Sequence, residues 1–243
     1  MRRARVGLHV NELLTAEHVG ALVVIAVATA VLVVMARMRP GWWLRGLALV
    51  LVVDELSWWV FLAAGGGEPG QRAQPLPLQL CDMAILIAAA ALWTRQRMLV
   101  AITYFWGLAG TLQALLTPDL AAQHFPGYPY FQYYIAHGGV VAAALVLVAG
   151  MRLHPSPRAA SQVALLTIAY AGLVGLVDAV TGADYMYLRS KPAGPTLLDW
   201  LGPWPVYVLV AALIGVVLLA VLDAPFRIGR TVRPGHPAPE THG

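Results

Sequence analysis

Charge is what this chain has least of. Asp, Glu, Lys and Arg make up 12% of its 243 residues and hydrophobic residues 59%, whereas a soluble domain carries about a quarter charged residues. Water is therefore not its main solvent. Lys191 is the only lysine, so the net charge of +4 rests on arginine. The arginines form no basic block interleaved with aromatics and no finger motif, which excludes a nucleic-acid partner. They suit anionic lipid headgroups instead. The single cysteine, Cys81, rules out an internal disulfide or a thiolate cluster. No two histidines stand three or four residues apart, the spacing that builds a zinc scaffold on one helix. Neither a metal nor a soluble cofactor is expected.

What the chain does have is apolar runs of membrane-spanning length. They fall near Val19–Met38, Leu44–Ala64, Leu76–Trp93, Met98–Leu116, Ile135–Gly150, Ser161–Thr181 and Trp204–Leu222, the fifth short enough to extend back through Gln132, Tyr133 and Tyr134. Backbone inside a bilayer must satisfy its own hydrogen bonds, so each run reads as a helix. The fold class is all-α: a polytopic membrane protein, a single bundle of about seven transmembrane helices over residues 1–223, with a disordered C-terminal tail over 224–243 that holds Pro225, Pro234, Pro237 and Pro239. Met1 to His18 is too polar for a signal peptide, so the first run reads as retained. Arginine in place of lysine suggests a GC-rich genome and a bacterial plasma membrane.

Seven crossings put the termini on opposite sides. Ten arginines fall on the side of the C-terminus, whereas Arg2, Arg3, Arg5, Arg72, Arg189 and Lys191 make six on the other. The positive-inside rule then predicts a cytoplasmic C-terminus and an outside N-terminus. Counting crossings also sorts the polar residues. Cys81 and Asp82 begin the third span, Asp119 follows the fourth, His137 begins the fifth, Asp178 ends the sixth and Asp184 comes just after it. His18, Asp54 and Glu55 fall on the same half, while the opposite half reads as almost purely apolar, with arginine at its rim. Ionisable groups cost several kcal/mol in a bilayer and mark a site or pathway.

Within that cluster Cys81 follows Pro75-Leu-Pro-Leu-Gln-Leu, so the thiol falls in the first turns of the third helix. A thiol needs a base to become a nucleophile, and His137 on the same side supplies an imidazole; Asp119 or Asp178 would hold its tautomer. Alone, the thiol would be a packing residue. The aromatic segments Phe125 to Tyr134 and Tyr185 to Leu188 read as an interfacial belt or as a rim that guides lipid chains. Trp42, Trp43, Trp58 and Trp59 read as interface anchors, and Gly65 to Gly67 as a flexible loop. Asp54 and Glu55, being adjacent, point in different directions and form no dyad. A rival reading is a proton-coupled carrier in which Asp54, Glu55, Asp82 and Asp178 relay protons and Cys81 merely packs.

The segments PLPLQLCDMA, FWGLAGTLQALLTPD, Phe125 to Gly139, GADYMYLRSKP and LGPWPVY together resemble the YwaF-like integral membrane proteins, which include eukaryotic transmembrane protein 164. The resemblance runs in order from about His18 to Tyr207. It implies cysteine-dependent acyl transfer between phospholipids, with Cys81 at the family's Leu-Cys position and His137 at its histidine. Phospholipid and lyso-phospholipid are then the partners, and Gln79, Asp82, Gln113, Tyr134, Asp184 and Tyr185 the expected substrate contacts. Asp184 stands where Asn is expected, and Gln79 where many relatives carry His.

Overall fold

The computed structural model describes residues 15–67, 69–118, 125–192 and 197–231, and among these it contains seven long helices and no strand. They are α1 (Ala16–Met38), α2 (Trp43–Ala63), α3 (Leu80–Thr94), α4 (Arg97–Leu116), α5 (Tyr128–Gly150), α6 (Ala159–Thr181) and α7 (Val206–Thr231). Six are long and apolar enough to cross a membrane and α3 is a shorter apolar helix. Their outer faces carry exposed valine and leucine, as at Val23, Val27, Val31 and Val34 of α1 and Leu209, Leu213 and Val217 of α7. Apolar faces turned outward at this density require lipid as the surrounding medium. The chain is a multi-pass membrane bundle.

The helix ends obey local chemistry. Thr15 caps α1 by accepting from the backbone N–H of His18, and α6 stops at Gly182, whose positive φ lets its N–H return to the Asp178 carbonyl. Gly127 and Pro129 start α5, so this helix reaches back past Gln132 as its sequence allows. The last helix departs from expectation. It runs through Pro225 to Thr231, so the boundary placed at Ala224 falls inside it; the rest of the expected tail lies outside the described residues. A proline in a helix leaves the carbonyl four residues back without its donor, here Val221, and the next carbonyl, Leu222, accepts from the Tyr104 hydroxyl at 3.2 Å.

α4 and α5 are the most enclosed spans. Around them α2 turns a stripe at helical spacing inward, Leu44, Ala48, Leu51 and Glu55, all fully buried. The alanines of α3 pack on it, Ala84, Ala88 and Ala91 having almost no exposure, and their small side chains permit close approach where lipid offers no hydrophobic drive. Gly138 and Gly139 let α5 wedge between α1 and α2. A Cβ at Gly138 would lie 2.8 Å from Ile25 Cδ1, and one at Gly139 2.5 Å from Leu51 Cδ2.

Two helices contain a π-turn, in which the N–H reaches back five residues instead of four. One spans Gly107–Thr111 in α4, where the Leu112 N–H bonds to Gly107. The other spans Val146–Gly150 at the end of α5, where the Met151 N–H bonds to Val146.

Candidate functional site

The third span is shorter than its sequence run because Pro75 and Pro77 cannot continue a helix backwards; α3 starts only at Leu80, after the extended cap Gln79. Fifteen residues span about 22 Å against a hydrocarbon core of about 30 Å. Its C-terminal end is pinned at one rim, where the Arg45 guanidinium lies 5.3 Å from the Trp93 ring. α3 is thus shorter than the hydrocarbon core, and its first turn, Leu80 to Met83, is half-buried. Cys81 and Asp82 sit in that first turn. The thiol donates to Asp82 Oδ1 at 3.5 Å, and the Asp82 backbone N–H faces the sulfur.

The loop that leads into α3 is clasped by the segment after α6. Leu76 N–H donates to the Tyr185 hydroxyl at 3.0 Å, and Met186 N–H to Gln79 Oε1 at 2.8 Å. The Gln79 amide then donates to Gln74, and the Tyr170 hydroxyl to the Leu78 carbonyl. Met186 and Tyr187 both have positive φ, 57° and 54°, a conformation non-glycine residues adopt only when surroundings impose it. Here the surroundings are hydrogen bonds: Asp178 Oδ1 accepts from Tyr185 N–H, and Tyr207 donates to the Tyr187 carbonyl. Asp184 closes the segment by accepting from the N–H groups of Arg189 and Ser190 and from the Ser190 hydroxyl.

Several expected roles are thereby redistributed. Gln79, Tyr185, Asp184 and one oxygen of Asp178 are engaged in this clasp, which positions the start of α3, whereas Asp178 Oδ2 has no partner among the described residues. Tyr134 likewise is engaged, its hydroxyl 2.6 Å from His18 Nδ1. Gln113 is the exception: exposed on α4, its amide makes no hydrogen bond among the described residues. Asp119 lies outside them.

His137 stacks on Tyr133, ring centroids 4.1 Å apart, and its Nδ1 lies 2.9 Å from the Tyr133 carbonyl. A carbonyl only accepts, so Nδ1 carries the proton and Nε2 is left with a lone pair. Nε2 has no partner among the described residues. The tautomer is thus set by the backbone one turn earlier, and Asp178 Oδ1 accepts from Tyr185 N–H instead of from the ring.

Two contacts set the register between α4 and α5. The Tyr133 hydroxyl donates to Ala114 at 2.7 Å, and Gly107 packs against Val140. The two helices run antiparallel, so His137, between those points, stands level with Gly110. On its other side a Cβ at Gly110 would meet only Leu80 Cδ2, at 3.8 Å, and Leu80 is the residue before Cys81. The π-turn of α4 thus touches α5 through Gly107 and the start of α3 through Gly110.

Sequence reasoning put Glu55 on the same half but missed its full burial beside this group. It is fully buried, interacts electrostatically with Asp82 and Cys81, and has Trp59 beside it; its Oε1 has no partner among the described residues. The signal was its spacing from Leu44, Ala48 and Leu51, which sets it on the inward stripe. Trp59 is thereby part of the interior and not simply an anchor. Asp54 points elsewhere, as adjacency requires: it accepts from Gln132 at 3.3 Å and borders an open groove of about 370 Å³ with Val53, Ser57 and Ile135. The far half is less dry than expected, since it buries Asp223 completely and pairs it with Arg227. Among the described residues no group of three or more His, Cys, Asp or Glu could hold a metal.

A profile of the TMEM164 family matches residues 13–223, most of the chain and every element of this site. The chain belongs to the TMEM164 family. It is also 27% identical over 152 residues to an uncharacterized protein of Treponema pallidum (strain Nichols), a match that takes in 63% of this chain and 62% of that one. The chain thus spans under two thirds of the length of this relative. No solved structure matches it. The family match runs from before α1 into α7, so Cys81, His137 and the clasp between the second and sixth loops all lie within the TMEM164 region.

Proposed function

We propose that this TMEM164-family protein transfers acyl chains between glycerophospholipids, or hydrolyses them, through a thioester on Cys81. What supports the proposal is a cysteine in the first turn of α3, hydrogen-bonded to Asp82, and a histidine on α5 whose Nε2 makes no hydrogen bond among the described residues, both within the family match. His137 Nε2 takes the thiol proton and the sulfur attacks the ester carbonyl carbon. The N-terminus of α3 would stabilise the oxyanion that forms, a helix N-terminus being a preorganised anion site. As the tetrahedral intermediate collapses, the carbon–oxygen bond breaks and the imidazolium returns its proton to the departing lyso-lipid oxygen. A second lyso-lipid hydroxyl, or water, gives its proton to His137 and attacks the thioester, releasing the thiol. The Cys81 to Asp82 hydrogen bond holds the thiol at rest, and the clasp through Gln79 and Tyr185 keeps the first turn of α3 in position.

The arginine count supports a C-terminus in the cytoplasm of a bacterial plasma membrane and a site towards the outer leaflet. Mass spectrometry of the purified protein after incubation with phospholipid tests the chemistry. A hydroxylamine-labile acyl group on Cys81, lost in Cys81→Ala and failing to accumulate or turn over in His137→Ala, is expected. Unchanged lipid turnover in both variants, with no acyl group on Cys81, would sink the proposal.

A further inference from the structure

We infer that the groove beside Asp54 holds a lyso-phospholipid, its glycerol hydroxyl on the Asp54 carboxylate and its one acyl chain along α2 and α5; the use made of that lipid rests on the acyl-transfer reading. The groove measures about 370 Å³ and is lined by Leu49, Val50, Val53, Asp54 and Ser57 of α2 and by Ile135 of α5. Contacts fix its two walls. Ser57 Oγ lies 2.7 Å from the Tyr128 hydroxyl, and Asp54 Oδ2 accepts from the Gln132 amide at 3.3 Å. Val50, Val53, Asp54 and Ser57 share one stripe at helical spacing, and Tyr128, Gln132 and Ile135 form the facing stripe of the antiparallel α5.

The groove is polar at one end only. At that end the Phe61 ring packs on Tyr128, centroids 4.8 Å apart, and on Trp58 at 5.5 Å, and such aromatic layers sit at headgroup level. Gln132 stands four residues after the start of α5, so Asp54 lies about 6 Å deeper than Tyr128, where a phospholipid has its glycerol and ester groups. Deeper still, Val50, Leu49 and Ile135 are exposed and offer apolar contact alone. A carboxylate facing lipid costs several kcal/mol unless donors reach it, and it has about four lone-pair sites. Gln132 fills one. Oδ1 makes no hydrogen bond among the described residues, and Ser57 cannot help, since its hydroxyl donates to the Asp54 carbonyl at 2.7 Å. The partner that fits is a donor carried on a single chain. A diacyl phospholipid has both glycerol hydroxyls esterified and its headgroup donors beyond the phosphate, outside the aromatic layer. A lyso-phospholipid has one free hydroxyl at the glycerol and one chain below it.

Photo-crosslinking tests the groove without catalysis. The full-length Cys81→Ala protein, in vesicles of diacyl phosphatidylcholine, is irradiated with a lyso-phosphatidylcholine that carries a diazirine midway along its chain, or with the matched analogue whose glycerol hydroxyl is replaced by hydrogen. The diazirine loses dinitrogen, its carbene inserts into a neighbouring C–H bond, and mass spectrometry of peptides locates the adduct. The hydroxyl probe is expected to label Leu49 to Val53 and Ile135 about tenfold more than the deoxy probe, the worth of a hydrogen bond to a charged group. Asp54→Leu is expected to bring the hydroxyl probe down to the deoxy level, and Asp54→Asn, which keeps a carbonyl acceptor, only part of the way. Thermal melts identify any variant that misfolds, and the two probes on the unaltered groove then carry the comparison alone. Equal labelling by both probes, or adducts confined to other helices, would overturn the inference. If the groove prefers the hydroxyl but no acyl group forms on Cys81 of the wild-type protein, the groove stands and the acyl-transfer reading falls. If the acyl-enzyme forms and the groove ignores the hydroxyl, the reverse holds.

Discussion

The two π-turns use one local device to opposite ends. At Val146–Gly150 the turn brings backbone against backbone: a Cβ at Gly150 would lie 2.7 Å from Ala36 Cβ and 3.2 Å from the Val33 carbonyl, so α5 closes on α1 with no room left. At Gly107–Thr111 the same five-residue reach ends in a glycine that touches only Leu80. One turn tightens the bundle at its rim, and the other holds one glycine against α5 and leaves the next exposed. A π-turn is therefore not a site in itself. What matters is whether the glycine it displaces meets a neighbouring helix or a gap.

Substitution separates the two. The largest loss is expected for Gly150→Ala, whose added methyl meets the backbone of α1, which cannot yield as a side chain can; overpacking of this kind costs about 1–3 kcal/mol, and a lower melting temperature in detergent micelles checks it. Gly139→Ala should come next, since Leu51 Cδ2 must move aside but is the end of a flexible chain. Tyr185→Phe removes the acceptor for Leu76 N–H and leaves a half-buried donor unmatched, at about 1–2 kcal/mol. It should also raise the exchange rate of the Leu76 amide in hydrogen-exchange measurements, which a purely global loss would not single out. Gly110→Ala should show the smallest change and the opposite sign, because alanine is the better helix former by about 0.5–1 kcal/mol where nothing is displaced. A clear drop in its melting temperature would erase the contrast between the turns.

Much of the bundle is legible in the sequence because membrane spans are long, apolar and forced into helices. The exceptions have local causes. Pro75 and Pro77 delay α3 to Leu80, and α7 passes through Pro225 with Tyr104 bonded to the Leu222 carbonyl. For the site, counting crossings assigns Cys81 and His137 to the same side and depth, and no more than that. The wiring of the site is not legible there. A carboxylate is the familiar partner of an imidazole, which points to Asp178, yet the Tyr133 carbonyl, four residues back on the same helix, orients the ring. Glu55 is easily missed because its adjacency to Asp54 raises the question of a dyad and hides the stripe that buries it.

Composition and span length alone settle the class of molecule. Low charge and seven apolar runs leave no other way to satisfy the backbone, and one cysteine with one same-side histidine at the fifth helix narrows the reactive groups to a pair. Which polar groups are spent and which are free emerges only from the packed bundle. Gln79, Asp184 and Tyr185 are consumed in holding two loops together, whereas His137 Nε2 and the Gln113 amide are not. The gap that Gly110 faces is likewise a product of packing. Hydrogen-bond partners and open space depend on contacts between helices distant in the chain, whereas solvent class depends on composition that any stretch of the sequence already carries.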